Sequence, residues 1–354
     1  MLSTTLRLLL CSLLIQAGTA LAAKPRADDA PAPGYATRQD VRDFAADLAA
    51  RRDLPAEWVL AQLAEARKQS SSQRLMMPPP AGTAKNWAAY RDRFVEPQRI
   101  AAGMLFWQDN AEALQRAEAQ YGVPAEIIVG IVGVETFYGR VTGNFRVLDA
   151  LATLAFDFPS GRSDRSPFFR AELEEFLVLC RRTGIDPTQP KGSFAGAMGL
   201  PQFMPSSLNK WAVDFDGDGR IDLNDSPADV IGSVANYLAV HGWQRGMAIT
   251  YAVAPPVDTR ARATLLQPDI LPSFTPAQMV EQGAGLDEVA RAHTGLLALV
   301  EVQNGSAAPS YVAGTQNFYA ITRYNWSSYY ALAVITLGET VKALRQARSA
   351  SNNP

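Results

Sequence analysis

From Trp87 to about Trp243, apolar residues recur at helical spacing, with only short glycine and proline breaks between segments. This pattern restricts the chain more than any other feature does: it requires a mainly α core over residues 87–246. Packing alone has to hold that core. Of the two cysteines, Cys11 falls in an apolar leader and Cys180 follows Phe176-Leu177-Val178-Leu179, so the exported chain keeps one buried thiol and no internal disulfide. With 47% apolar residues in a chain of 354, there is enough material to fill the core.

The flanks read differently. Arg7, the apolar run Leu8 to Ile15 and the small-residue end Thr19-Ala20-Leu21-Ala22-Ala23 have the layout of a secretory signal over residues 1–23. An uncleaved anchor would need a longer apolar run. Lipidation at Cys11 would need a small residue where Leu10 stands. The expected location is therefore periplasmic. Residues 24–86 form a tether and a small helical region. In it Thr37 caps a helix carrying Val41, Phe44, Ala45 and Leu48, Pro55 opens a second helix, and residues 69–86 are a Ser/Pro-rich linker. Residues 247–312 are broken by Pro255-Pro256, Pro268 and Pro272. With strand-like stretches at Leu296–Val302 and Tyr311–Ala313, they read as a small mixed α/β insert. Residues 313–354 return to the core, closing with a helix from about Tyr329 to Ala347.

A net charge of −2 argues against a nucleic-acid partner and leaves no polybasic membrane patch. With His241 and His293 the only histidines, a zinc site or a Cys/His nucleophile lacks ligands, and acid–base chemistry falls to carboxylates. One carboxylate is unusually placed. In the helix Pro124-Ala-Glu-Ile-Ile-Val-Gly-Ile-Val-Gly-Val-Glu135, Glu135 shares the apolar stripe with Ile128, Ile131 and Val132 and lies near the helix end. Desolvation and the helix dipole both raise its pKa, as a proton donor to a glycosidic oxygen requires. A buried structural glutamate paired with an arginine fits this feature equally well. Asp149 and Asp157, which follow, read as a helix cap and a turn.

A second cluster is Gly192-Ser-Phe-Ala-Gly-Ala-Met-Gly-Leu-Pro-Gln-Phe-Met-Pro-Ser-Ser207. Its glycines let backbone approach a ligand. Ser193 and Gln202 offer hydrogen bonds, and Met198, Phe203 and Met204 an apolar wall. A tight interhelical loop is the competing reading. A third is Asp214-Phe-Asp-Gly-Asp-Gly-Arg-Ile-Asp-Leu-Asn-Asp225, which fits an EF-hand loop for a structural Ca2+. Asp214, Asp216 and Asp218 take its first ligand positions, Gly219 its turn, the Arg220 carbonyl position seven and Asp225 position twelve. Asp229 is the alternative distal ligand, although Ser226-Pro-Ala-Asp229 also reads as a helix cap.

Gly133-Val-Glu-Thr-Phe-Tyr-Gly-Arg140 and Gly196-Ala-Met-Gly-Leu-Pro-Gln-Phe-Met-Pro-Ser-Ser207 closely resemble the B-type lytic murein transglycosylases. Asn144–Ala155, Gly232–Tyr237 with His241-Gly-Trp243, and Asn317–Asn325 resemble them too, in order, from about Gln39 to Gly338. The resemblance implies a lysozyme-like helical core with Glu135 as the single catalytic acid and base. The implied reaction cleaves the MurNAc–GlcNAc bond of peptidoglycan glycan strands without water and leaves 1,6-anhydroMurNAc ends. It also implies groove roles for Ser193, Gln202, Tyr237, Tyr324, Asn325, Tyr330, Arg165 and Tyr90. Where the family shows adjacent arginines after a Phe-Asp-Tyr-Pro stretch, this chain reads Phe156-Asp-Phe-Pro-Ser-Gly-Arg-Ser-Asp-Arg165, with extra residues. Arg165 best matches one of that pair. The rival readings are a hydrolytic muramidase using the same Glu135, and an inactive murein-binding scaffold. Protein partners in wall synthesis or division stay open.

Overall fold

The computed structural model describes residues 34–78 and 85–351. The leader, Cys11 and most of the tether lie outside them. After a single 3-10 turn, Tyr35–Thr37, come α1 (Gln39–Arg52), α2 (Ala56–Ala64) and α3 (Ser70–Met76). The helical core begins with α4 (Trp87–Arg91), α5 (Pro97–Asp109), α6 (Ala111–Tyr121) and α7 (Ala125–Thr136). It continues through β1 (Phe145–Arg146), α8 (Val147–Phe156), α9 (Ser166–Thr183), β2 (Lys191–Gly192), α10 (Pro205–Trp211) and α11 (Pro227–Val240). Next come β3 (Thr250–Ala254), α12 (Thr259–Leu266), α13 (Pro276–Glu281), β4 (Gly285–Leu286), α14 (Glu288–Arg291), β5 (Ala298–Asn304) and β6 (Ala307–Gly314), and the chain ends in α15 (Gln316–Thr322) and α16 (Ser328–Ser351). The expected mainly α class is what the chain adopts.

Thr37 does not cap α1. Its hydroxyl donates to the Gly34 carbonyl, and Arg38 occupies the cap position without a side-chain bond. The expected linker is partly helix. Within it α3 is tied to the core by bonds from distant sequence: Gln73 Nε2 donates to the Asp157 carbonyl, and the Gln69 amide to Thr153 Oγ1. Asp149 is not a cap either; it lies buried inside α8 and accepts from the Arg67 amide. Asp157 does end α8. It accepts from Tyr35 Oη at 2.7 Å and pairs with Arg38 at 3.0 Å, joining the first helices to the core.

Two apolar clusters carry the helices. One gathers α5, α6, α7, α11, α15 and α16; the other gathers α1, α2, α3, α8 and α9. The glycine-rich loop contributes to both, Leu200 and Phe203 to the first and Met198 to the second. A third, smaller cluster lies under the antiparallel sheet β4-β3-β6-β5. The expected stretch Tyr311–Ala313 sits within β6, and Leu296–Val302 begins two residues before β5, but β3 and β4 were not foreseen.

Helix α7 is apolar on every side, not along one stripe: among its residues only Glu126 escapes burial. Its backbone lies directly against α16. A Cβ built on Gly130 would collide with the Val334 carbonyl, and one on Gly338 with the Glu126 carbonyl, so glycine is required at both contacts. Lys342 Nζ meets Glu126 Oε1 at 2.7 Å and fixes the outer end of the pair.

Candidate active site

Glu135 occupies the last turn of α7, where the helix stops abruptly. Phe137 and Tyr138 both take left-handed backbone conformations, at φ 52° and 57°. Such conformations are unfavourable for non-glycine residues and persist only where the surroundings enforce them. Here the enforcement is visible. The Phe137 ring lies under the Arg99 and Arg140 guanidinium groups, at 4.6 and 4.8 Å, and the Tyr138 ring packs on Phe106. Thr136 Oγ1 donates to the Leu200 carbonyl at 2.9 Å, which ties the helix end to the glycine-rich loop.

Glu135 is 7% exposed, and Tyr330 Oη, from the first turn of α16, donates to its Oε1 at 2.6 Å. Burial lifts its pKa from 4.5 to about 7, and the Tyr330 hydroxyl pulls partly the other way. Among the described residues no arginine or lysine pairs with it, which disfavours the structural ion-pair reading. Glu135 opens into a cleft shared with Met76, Arg165, Phe168, Phe169, Phe194, Gln202, Met204, Tyr324 and Asn325, among others. The cleft is narrow, with about 70 Å³ of free interior. No second carboxylate lines it among the described residues.

The sequence-derived site residues divide into two groups. Gln202, Tyr324, Asn325 and Arg165 line the cleft itself. Gln202 has φ 50°, and its Nε2 donates to the Thr142 and Gly199 carbonyls, leaving Oε1 to accept from a ligand. Tyr324 Oη and Asn325 Oδ1 are buried without a protein partner, an arrangement that a bound polar ligand would complete. The Arg165 guanidinium stacks over Phe168 at 4.7 Å. The second group stands behind the wall. Tyr237 donates to the Arg323 carbonyl at 2.7 Å and packs on Tyr324; Tyr330 reaches Glu135 from within the core. Ser193 is buried, and its Oγ accepts from the Ala197 and Ala195 amides, so it shapes the loop. Tyr90 packs on Phe94 and Tyr329 to one side, close enough to Glu135 for that charge to raise its pKa along with burial. Of the expected apolar wall only Met204 lines the cleft; Met198 and Phe203 are buried beneath it.

Met76, Phe168, Phe169 and Phe194 were missed as lining residues. The signal was faint: Leu75-Met76-Met77 is the one apolar run in the Ser/Pro-rich stretch.

In the acidic loop, carboxylate oxygens of Asp214, Asp216 and Asp229 converge within 4.8 Å of one another. Asp229 is 1% exposed and accepts from the Phe215, Asp216 and Asp222 amides. It also serves as the third helical residue under the Ser226 cap. Asp218 and Asp225 do not join the three; Asp218 Oδ1 accepts from the Arg220 amide, and the Asp225 amide donates to Asp222 Oδ1. Three hard anionic oxygens at this spacing suit a calcium ion. The loop is joined to the active-site floor: the Leu200 amide donates to the Leu223 carbonyl at 2.8 Å.

The sequence profile described as the transglycosylase SLT domain matches residues 36–339. The chain is 43% identical over 291 residues to the membrane-bound lytic murein transglycosylase B of Escherichia coli (strain K12), covering 80% of this chain and 77% of that one. The crystal structure of the Escherichia coli lytic transglycosylase Slt35 in complex with calcium is similar with a TM-score of 0.75 at 37% identity, over 92% of this chain and 99% of that one. SltB3 from Pseudomonas aeruginosa, in complex with NAG-anhNAM-pentapeptide, is similar with a TM-score of 0.70 at 28% identity, over 86% of this chain and 79% of that one.

Proposed function

This chain belongs to the transglycosylase SLT domain family, as a lytic murein transglycosylase with the lysozyme-like fold of those enzymes, and from that premise we propose that Glu135 alone serves as acid and then base. The observation that carries this reading is a buried carboxyl, half protonated at about pH 7, in a cleft with no second carboxylate among the described residues. Most glycosidases pair two carboxylates, one as acid and one for water or for the sugar. A single one suits a reaction whose nucleophile lies within the substrate.

In the first step Glu135 gives its proton to the oxygen between N-acetylmuramic acid and N-acetylglucosamine, and that C–O bond breaks. The muramoyl acetamido group shares the positive charge left at C1. The carboxylate then takes the proton of the muramoyl C6 hydroxyl as its oxygen closes on C1. The 1,6-anhydro ring forms and Glu135 is protonated again. Tyr330 holds one carboxyl oxygen throughout, while the unpartnered Tyr324 Oη and Asn325 Oδ1 and the free acceptor of Gln202 orient the sugar. A tethered hydroxyl enjoys a large effective concentration over bulk water, which favours ring closure. That a related enzyme is found with an anhydro sugar supports the reading. Digestion of purified sacculi followed by mass spectrometry tests it. New ends should be anhydro forms, with no matching rise in reducing sugar. Products one water heavier as the main species would mean a hydrolytic muramidase.

The loop at Asp214, Asp216 and Asp229 is proposed to hold a structural Ca2+, which would pin the segment beneath Leu200. Because only the folded state binds the ion, calcium added to chelated protein should raise Tm. Asp229→Asn keeps the volume but removes one charge and should erase most of that shift. A native protein whose Tm ignores calcium would exclude the site. Export to the periplasm is proposed from the leader, where murein is accessible.

A further inference from the structure

Among the described residues, none of the 247–312 insert lines the cleft, yet the insert is fastened to the helix that serves Glu135. In the sheet β4-β3-β6-β5, strand β5 has a free edge. Such an edge ordinarily has to be covered, and here the helical core covers it. The Gly305 amide donates to the Lys85 carbonyl at 3.0 Å, and Asn304 forms an antiparallel bridge with Asn86 at the entry to α4. One residue earlier the ladder with β6 slips. Val302 faces Ser310 and Asn304 faces Ala307, so Ala308 and Pro309 both stand opposite Gln303. At this slip the Gln303 amide donates to Tyr329 Oη at 2.6 Å.

Tyr329 and Tyr330 are the second and third residues of α16. Neighbours on a helix stand roughly 100° apart, so one ring faces the hairpin while the next reaches the acid. The Tyr329 ring is set edge-on to Trp87 and Tyr90, at 6.3 and 5.8 Å, with Lys85 Nζ 5.9 Å from its centre. Tyr330 Oη donates to Glu135 Oε1 at 2.6 Å. The first turn of a helix has few backbone bonds of its own. In α16 Ser327 serves that turn with two long ones: its Oγ accepts from the Tyr330 amide at 3.3 Å, and its carbonyl from the Ala331 amide at 3.2 Å. The hydroxyl of Tyr329 adds a shorter hold from outside, on the same turn that presents Tyr330.

We propose that the insert is a positioning element for the catalytic acid: through Gln303 it holds Tyr329, and through Tyr329 it fixes the turn from which Tyr330 donates to Glu135. Tyr329 is therefore a positioning residue that acts through its neighbour. This inference rests on the reading of Glu135 as the acid. The slip in the ladder and the covered edge of β5 are then parts of one device, a hairpin tip that straps the start of α16 to the entry of α4.

The test is Tyr329→Phe, which keeps the ring against Trp87 and Tyr90 and removes the hydroxyl alone. The NMR resonance of the Glu135 carboxyl carbon, assigned by its absence in Glu135→Gln, follows the acid's titration without turnover. A donor on a carboxylate favours its charged form, and Tyr330 pulls the Glu135 pKa down in this way. A slackened Tyr330 bond should therefore move the titration to higher pH, by less than Tyr330→Phe does. The other groups that face Glu135 do not change with the substitution: Tyr90, Tyr237 and Tyr324 stay neutral through burial, and Arg165 lines the same cleft. On purified sacculi kcat should fall about tenfold with KM nearly constant, less than the roughly hundredfold that a 1 Å misplacement can cost. Added to Tyr330→Phe, Tyr329→Phe should shift the titration no further, because residues acting in series are not additive. An unmoved titration in Tyr329→Phe, even with a lowered Tm, overturns the positioning role; so does an equal further shift in the double variant. The pH profile of turnover keeps the two readings apart. If the Glu135 titration moves in Tyr329→Phe while the alkaline limb of kcat/KM stays in place, the strap stands and Glu135 is not the acid.

Discussion

Glu135→Gln should abolish murein turnover while making the protein more stable at neutral pH. Each proton transfer by a placed group contributes roughly a hundred- to ten-thousandfold to rate, and the amide can perform neither. The stability effect follows from the raised pKa. A carboxyl at about 7 in the folded chain against 4.5 when exposed binds its proton more tightly folded. Below 4.5 it is neutral in both states and does not disfavour folding. Between 4.5 and 7 the unfolded chain ionises first, and above 7 the full penalty is present, on the order of 3 kcal/mol. Glutamine removes that penalty and still accepts from Tyr330. The variant's gain in Tm should thus be larger at pH 8 than at pH 4. Residual turnover would remove the central proposal, and a Tm below wild type at pH 8 would contradict the burial of an uncompensated carboxyl.

Gly338→Val should be the most damaging substitution outside the cleft. A side chain there meets the Glu126 carbonyl, which belongs to a helix backbone and cannot swing aside. Either α7 and α16 separate or the helices distort. Overpacking of this kind costs about 3 kcal/mol or more. Separation also draws Tyr330 from Glu135, so activity should fall even at temperatures where the variant stays folded. Gly246→Ala is the control. Its backbone is left-handed, at φ 76°, but nothing lies within 4 Å of its new carbon, and the loss should be nearer 1 kcal/mol. Denaturant unfolding of both variants decides the matter; equal losses would mean that the α7–α16 approach has slack.

The helix bearing Glu135 was legible because proline and apolar spacing act within a dozen residues; its stop was not, since Phe137 and not a glycine takes the left-handed cap. The resemblance named the cleft residues but could not sort them. Whether Tyr237 faces sugar or the Arg323 carbonyl depends on a chain segment 86 residues away. Helix α3 was illegible for a related reason. Its three serines have weak helix preference, and it is held by Thr153 and Asp157, which local pattern cannot see. In the acidic loop, the twelve-residue spacing pointed to Asp225 first. Burial among backbone amides selects Asp229 instead, because a carboxylate that gathers three N–H groups is fixed before any ion arrives.

The acid and the tyrosine that holds it are 195 residues apart in sequence. Synthesis and translocation proceed from the amino terminus, so α7 emerges long before α16. Until Ser328 and the residues after it arrive, α7 lacks the helix that packs on its Gly130 face, and Glu135 lacks the Tyr330 hydroxyl that donates to it. If Glu135 is the acid as proposed, a chain cut short before Ser328 should turn over no murein, and completion of the carboxyl-terminal helix becomes a condition of activity.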